Sequence, residues 1–301
     1  MYVDLLNDVS KIEYTCDSDQ MSLRENNLLD SKIPSTTYMG ARGVGFGNVA
    51  ARFGERFSSN IRLNSRVIRI SQYQEDGGGE AVVKYVHEGK HLTVAARAVV
   101  VTASLGVLKR GSIKFDPLLP RYKQEVIDGM GFGLVNKCAM YWNSTDDVVW
   151  PENKFWFKLI GAKDDRWTSF FNPSYYKGVP TLTAWVGGED ALRMERKTDE
   201  EVMTRYVMKN LLAMFPDIRH PDRVVITRWH QDENFRGTYS YMAAHREWET
   251  DTHNLRKRVG RLWFAGEATA HPWHGTTVGA WNSGKEAARD MMKRLTAAAV
   301  G

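Results

Sequence analysis

The chain has 301 residues, enough for one large or two ordinary domains with a sizeable core. Its 41 Lys and Arg against 36 Asp and Glu leave a formal charge of +5, interspersed along the sequence, a balance too mild to argue for a nucleic-acid partner. Two cysteines make no disulfide framework, no basic leader opens the chain, and the longest apolar stretch, Ala95 to Ala103, is broken by Arg97; a soluble intracellular protein with no membrane partner is expected.

Residues 1–39 are polar and weakly patterned, with a Ser/Thr/Pro loop at 31–37. Gly40-Ala-Arg-Gly-Val-Gly-Phe-Gly47 has the spacing G-x-x-G-x-G-x-G with no clean strand before it, a poor match to a dinucleotide fingerprint, and a helix over 48–57 is expected next. Ile61 to Ile70 and Val82 to Val86 alternate as strands around a turn at 76–79, and His91 to Val94 would complete a meander. Ala98-Val-Val-Val-Thr102 is a continuous apolar run, as expected of a parallel strand covered on both faces.

Lys137 begins a further strand among apolar residues; burying it unpaired is costly, so by itself it reads as an exposed strand lysine. Aromatic-rich strands follow between 147 and 191, as in an antiparallel sheet. Thr198-Asp-Glu-Glu201 is a capping box for a helix to Phe215, stopped by Pro216, with Val202, Met203, Tyr206, Leu211 and Met214 on its apolar face. His271-x-x-His274, with His230 and His245, sits without Cys or acidic partners at ligand spacing, so no metal site is expected.

Leu262 to Ala265 reads as a short buried strand that Gly266 breaks, with the Glu267 carboxylate just beyond it. A Gly/Thr-rich turn then opens a helix to Leu295, whose face Ala280, Gly284, Ala287, Ala288, Met291 and Leu295 is small or apolar. A strand end facing a helix N-terminus is a place for an anionic cofactor, and equally an ordinary α/β turn.

The run Phe264-Ala-Gly-Glu-Ala-Thr269, with Gly275-Thr-Thr-Val-Gly-Ala280 and Ser283-Gly-Lys-Glu-Ala-Ala288, resembles the C-terminal flavin-binding motif of the flavin-dependent amine oxidases. That family includes monoamine oxidases, polyamine oxidases and the flavin-dependent lysine-specific histone demethylases. Leu63-Asn64-x-x-Val67, Thr102-Ala-Ser-Leu-Gly-Val-Leu-Lys109 and Arg236-Gly-Thr-Tyr239 are similar to other family segments, with Ser104 in place of the usual proline. The resemblance covers roughly residues 40–298. It implies an α/β (α+β) fold in which an incomplete FAD-binding Rossmann-like domain is interleaved with a mixed-sheet substrate domain. Residues 1–39 would end a substrate-domain segment, 40–112 and 229–301 would be FAD-binding segments, and 113–228 the substrate-binding domain.

The resemblance also implies FAD as cofactor and a small-molecule amine and oxygen as partners. Val67, Thr102, Trp229, Thr238, Gly266, Glu267, Thr277 and Val278 fall at cofactor-binding positions, and Lys137, Tyr239 and Thr276 at catalytic ones. Val67 matches a valine whose main chain meets the adenine, and Glu267 would accept hydrogen bonds from the ribityl hydroxyls. Lys137 matches the lysine that holds a water against flavin N5, and Tyr239 would wall the amine-orienting cage. Thr276 stands where monoamine oxidases carry a second tyrosine, which favours a long aliphatic, polyamine-like substrate. Thr238 replaces their thioether cysteine, so the flavin is expected to be non-covalent. The family's opening strand, G-x-G-x-x-G and helix are not in this sequence. It therefore reads either as the C-terminal part of an oxidase whose chemistry is shared with a missing N-terminal segment, or as a non-catalytic binding module on the same scaffold.

Overall fold

The computed structural model describes residues 11–22, 46–72, 79–162, 166–177 and 179–297. The loop expected at 31–37, most of the Gly40 to Gly47 run and most of the turn at 76–79 lie outside the described residues. The first helix, α1 (Phe46–Gly54), is followed by a 3-10 turn, Glu55–Asn60, so the helix expected over 48–57 starts and ends earlier and tightens at its close.

A four-stranded sheet has the order β3 (Lys90–Ala96), β2 (Ala81–His87), β1 (Ser65–Gln72), β5 (Lys114–Asp116). The first three are the expected antiparallel meander, its tight turn made by Glu88 and Gly89, both in the left-handed region. β1 begins at Ser65 rather than Ile61, because Asn64 takes a φ of 52° and turns the chain before pairing starts. A bulge follows Val67, where pairing jumps from Val67 opposite Tyr85 to Arg69 opposite Lys84.

The largest sheet is antiparallel: β11 (Arg223–Ile226), β7 (Val135–Tyr141), β10 (Thr181–Gly187), β9 (Ser169–Phe171), β8 (Trp156–Lys158). Strand alternation sends Leu182, Ala184, Val186, Cys138, Met140 and Phe170 into one core. The opposite face, with Lys137, Thr183, Trp185, Phe171 and Trp156, is only half-buried. The helical run that covers the core is capped as expected: Thr198 Oγ1 accepts from the Glu201 N–H at 3.1 Å. It runs through Asp199–Val202, a π turn at Met203–Val207, and Met208–Met214, with Val202, Met203 and Leu211 buried.

A two-stranded parallel pair, β4 (Val99–Val101) and β13 (Leu262–Phe264), forms a third layer. β13 is covered on both faces, by Trp263, Ala265 and Ala287 on one side and by the core around Leu262 and Phe264 on the other. β4 corrects the expectation of a fully covered strand. Val99 and Val100 are half-buried, because β4 pairs only with β13 among the described residues and its other edge faces a groove. The last helix, α2 (Thr277–Ala297), buries Gly279 against the Trp273 carbonyl, Ser283 on Gly266 and Ala287 on Trp263 of β13. This stripe is rotated by about one residue from the expected apolar face. Closeness of approach sets it: a Cβ on Gly279 would run into the Trp273 carbonyl.

Lys123, in the helix Arg121–Gly129, is wholly buried. Its ammonium donates to the carbonyls of Asn254 at 3.0 Å and Leu255 at 2.6 Å, in the last turn of the helix Trp248–Arg256, and lies 4.0 Å from the Phe264 ring centroid. A helix C-terminus favours a cation. Burial nevertheless lowers the pKa to about 7, with the charge of Lys257 adding to the effect. Between that value and the ordinary 10.5 the unfolded chain binds the extra proton, so Lys123 makes stability rise with pH. Urea unfolding at about pH 7 and about pH 9.5 should show wild type gaining roughly 1–3 kcal/mol relative to Lys123→Met. A pH-independent difference between the two proteins would contradict this account.

Candidate functional site

The parallel pair positions the site. Past Phe264 the chain turns at Gly266, whose φ of 138° suits glycine and whose missing Cβ would meet nothing within 4 Å. Glu267 follows, deep in the fold. Ser240 Oγ donates to its Oε2 at 2.6 Å and the Gly275 N–H donates to the same oxygen at 2.8 Å. The Ser240 N–H lies farther off, 3.3 Å from Oε1, which leaves Oε1 with acceptor capacity. Burial raises the Glu267 pKa, and the donors from Ser240 and Gly275 act against the rise.

Two connected cavities open along β4. One, of about 300 Å³, is lined by Thr102, Ser104, Phe132, Thr238, Gly266 and Glu267 among others. The other, of about 460 Å³, has Val67, Ile70 and Val83 on an apolar wall and Ser65, Ser112 and Arg236 as polar groups. Val101, Thr102, Ala103 and Asn234 line both, so the two form one elongated groove. Five of the residues marked out from the sequence, Val67, Thr102, Thr238, Gly266 and Glu267, therefore line a single groove.

Tyr239 and Thr276 lie beside it. A Cβ on Gly275 would stand 3.3 Å from the Tyr239 ring, and Gly275 itself is bound to Glu267. The Tyr239 hydroxyl is 3.2 Å from the carbonyls of both Ile12 and Glu13, to which it donates. Burial raises its pKa well above the usual phenol value, and the charges of Glu13 and Glu267 add to this, so it stays neutral. Thr276 Oγ1 donates to the Trp273 carbonyl at 2.7 Å and accepts from the Gly279 N–H at 3.0 Å, capping α2. Thr277 and Val278 occupy the exposed first turn, and their N–H groups have no acceptor among the described residues.

Lys137 and Trp229 are not among the residues lining the groove. Lys137 pairs across strands with Trp185, its ammonium 4.2 Å from that ring centroid, and burial lowers its pKa. It is half-buried, between the exposed strand lysine and the buried one. Trp229 packs edge-on against Phe235 at 5.2 Å, and its N–H donates to Asn136 Oδ1. β7 ties these residues to the groove: the Val135 N–H donates to Thr238 Oγ1 at 2.8 Å, and the Lys137 N–H to Thr227 Oγ1. His274 stacks on Trp248 at 4.4 Å, and burial drops its pKa to about 4, so it is neutral at pH 7.

Residues 13–292 match the family of flavin containing amine oxidoreductases. The chain belongs to this family. Among its amine oxidoreductase relatives, it is 34% identical over 236 residues to polyamine oxidase 4 of Oryza sativa subsp. japonica, covering 78% of this chain and 46% of that protein. It is 36% identical over 217 residues to lysine-specific histone demethylase 1 homolog 2 of Arabidopsis thaliana, covering 69% and 28%. The cyclohexylamine oxidase from Brevibacterium oxydans IH-35A shares the fold, with a TM-score of 0.70 at 22% identity over 97% of this chain and 64% of that one. The chain thus spans less than half the length of these curated relatives.

Two residues of the site stood in quoted segments without a role being read for them. Ser104, noted only as a missing proline, caps Leu105–Arg110 by accepting from the Val107 N–H and donates to the Phe235 carbonyl at 2.6 Å, pinning the groove wall. Arg236 lines the groove with a φ of 59° and a buried Nε that has no acceptor among the described residues. The Arg-Gly pair at 236–237 was the available hint. Because Glu267 joins three segments, Glu267→Gln should lose about 1–3 kcal/mol of stability, since an amide N–H would then face the donors from Ser240 and Gly275. Urea denaturation measures this, and an unchanged midpoint would show that the carboxylate carries no such role.

Proposed function

We propose that the groove along β4 holds FAD and that the protein takes part in oxidation of an amine with a long aliphatic, polyamine-like chain. The observation that carries this reading is the gathering of Val67, Thr102, Thr238, Gly266 and Glu267, marked out separately along the sequence, in one elongated groove of a flavin-containing family. The groove suits such a group: an apolar wall for a flat ring at one end, open backbone at Gly266, and the N–H groups of Thr277 and Val278 at a helix start that favours negative charge. Bound FAD supplies acceptance of a hydride from the carbon beside the amine nitrogen, leaving an imine that water hydrolyses, with oxygen as the final oxidant and hydrogen peroxide as product.

The protein's own groups bind and orient. Val67, at its bulge, offers main chain to the adenine, and Oε1 of Glu267 is left to accept from sugar hydroxyls. Thr238 keeps its hydroxyl on backbone, accepting from Val135 and lying 3.2 Å from the Gly133 carbonyl, which agrees with a non-covalent cofactor. Tyr239 is a rigid neutral wall, and Thr276, spent on capping, leaves room beside it for a long chain. Lys137, partly desolvated on the Trp185 face, would donate to a water held toward the flavin, the role its match to the family lysine implies.

In FAD-loaded protein, Lys137→Met should slow both flavin reduction by amine and reoxidation by oxygen by at least about tenfold, with bound flavin retained. Stopped-flow traces equal to wild type in both half-reactions would make Lys137 an ordinary strand lysine.

A second reading rests on a sequence fact: the spacing G-x-G-x-x-G, the family's glycine loop for a diphosphate, does not occur among these 301 residues. On this reading the chain supplies the two end walls of the cofactor site and depends on a further segment for tight binding. Flavin absorbance and amine-dependent peroxide should then rise sharply when a family-type N-terminal segment is added in trans. A yellow, peroxide-producing 301-residue chain on its own would rule that dependence out.

A further inference from the structure

The chain's positive charge is dispersed in sequence and gathered in space. The helix Trp248–Arg256 ends in Arg256, and Lys257 and Arg258 follow it directly. Lys285 and Arg289 stand one turn apart on α2, with Arg294 beyond them. Two adjoining pockets collect these six: one of about 270 Å³ holds Arg256, Lys285 and Arg289, and one of about 400 Å³ holds Arg256, Lys257, Arg258 and Arg294. The pockets share Arg256 and Glu286, so they are one surface.

The only carboxylates in the two linings are Glu286 and Asp290. Six cations against two carboxylates leave a local excess of four, in a chain whose whole excess is five. Arg256 is 2.8 Å from Glu286, and Arg294 is 3.0 Å from Asp290. Lys257, Lys285 and Arg289 have no carboxylate partner among the described residues and, like Arg258, are exposed; Arg258 acts through its charge on Asp290, the carboxylate that Arg294 already holds. Lys257 lies over the Tyr122 ring and Arg258 over the Trp263 ring, contacts that hold the stems without cancelling the charge.

We propose that this surface binds the phosphodiester backbone of a nucleic acid. Four of its six cations are arginines, whose planar forks take phosphate oxygens two at a time. The surface is recessed into two pockets, which receive projecting phosphate groups better than a flat array of headgroups. Neither lining offers an exposed large apolar side chain: Trp263 and Phe264 are buried and Trp273 is half-buried, so nothing here inserts into a bilayer. Three of the cations lie on α2, with Lys285 about 12 Å and Arg294 about 25 Å along the axis from Thr277, and none of the six lines the groove along β4, so a bound backbone leaves that groove free. The contacts proposed are to phosphate oxygens, so binding is expected to be indifferent to sequence.

The test is fluorescence anisotropy of the 301-residue chain with a labelled duplex DNA of about 20 base pairs, in salt from about 50 to about 200 mM. A local excess of four cations predicts a log–log salt slope near −3.6 and so a loss of about 100-fold in affinity across that range. The double variant Lys285→Glu/Arg289→Glu should bind at least about tenfold more weakly with roughly half that slope, while its far-UV circular dichroism and thermal melt match wild type. Should charge reversal disturb the fold, Lys285→Gln/Arg289→Gln replaces it, with the same halved slope expected. Phosphatidylserine vesicles and poly-glutamate are the competing probes. No duplex binding at the lowest salt, equal binding by the variants, or capture by vesicles or poly-glutamate in preference to duplex would each overturn the proposal.

Discussion

The buried carboxylate of Glu267 is the constraint on which the site depends. It follows β13 and takes hydrogen bonds from Ser240 on the strand Ser240–Tyr241 and from Gly275 at the approach to α2, fastening three segments far apart in sequence at one point. An ionised carboxylate so deep is costly unless its lone pairs are met, and burial does raise its pKa against the pull of those donors. The arrangement sets Tyr239 and Thr276 on either side of Gly275, and so decides what stands beside the groove before any ligand enters.

α2 is brought to the same point by closeness rather than by greasiness. Gly279 approaches the Trp273 carbonyl, and Ser283 Oγ accepts from the Gly266 N–H at 3.0 Å, so the helix is fixed to the turn that presents Glu267. A larger side chain at either place would lift the helix start away from the end of β13, and with it the N–H groups of Thr277 and Val278. The layer works as a unit: strand end, carboxylate, small-residue helix.

Much of this was legible because it rests on local pattern. The period-two alternation of β1 and β2, the capping box at Thr198, and the order of strand, Gly266, Glu267 and helix all follow from side-chain chemistry within a few residues of each other. What escaped depends on which elements become neighbours. Ala98 to Thr102 reads as a doubly covered strand from hydropathy, yet the partner missing from one edge of β4 leaves Val99 and Val100 half-buried. The small residues Gly279 and Ser283 were legible as a place of close approach, while hydropathy alone set the apolar stripe of α2 about one residue away from them. Lys137 reads as an ordinary strand lysine until the register sets Trp185 opposite it.

The same dependence on neighbours explains the electrostatics. A formal charge of +5 spread along 301 residues suggests nothing, but the fold sorts it. Around Tyr239 and Tyr241 the field is negative: burial pushes the Tyr241 phenol up to about 12, and Asp17, Asp19 and Glu189 add to it. Behind Phe264 the field is positive, since Lys257 helps burial to hold the Lys123 pKa down. A cation is therefore drawn toward the tyrosine end, while the later turns of α2 repel it and favour anions. α2 carries both signs of this separation in one element. Its start offers N–H groups beside a buried carboxylate, and its last turn bears Arg294, a charge that a helix C-terminus accommodates readily.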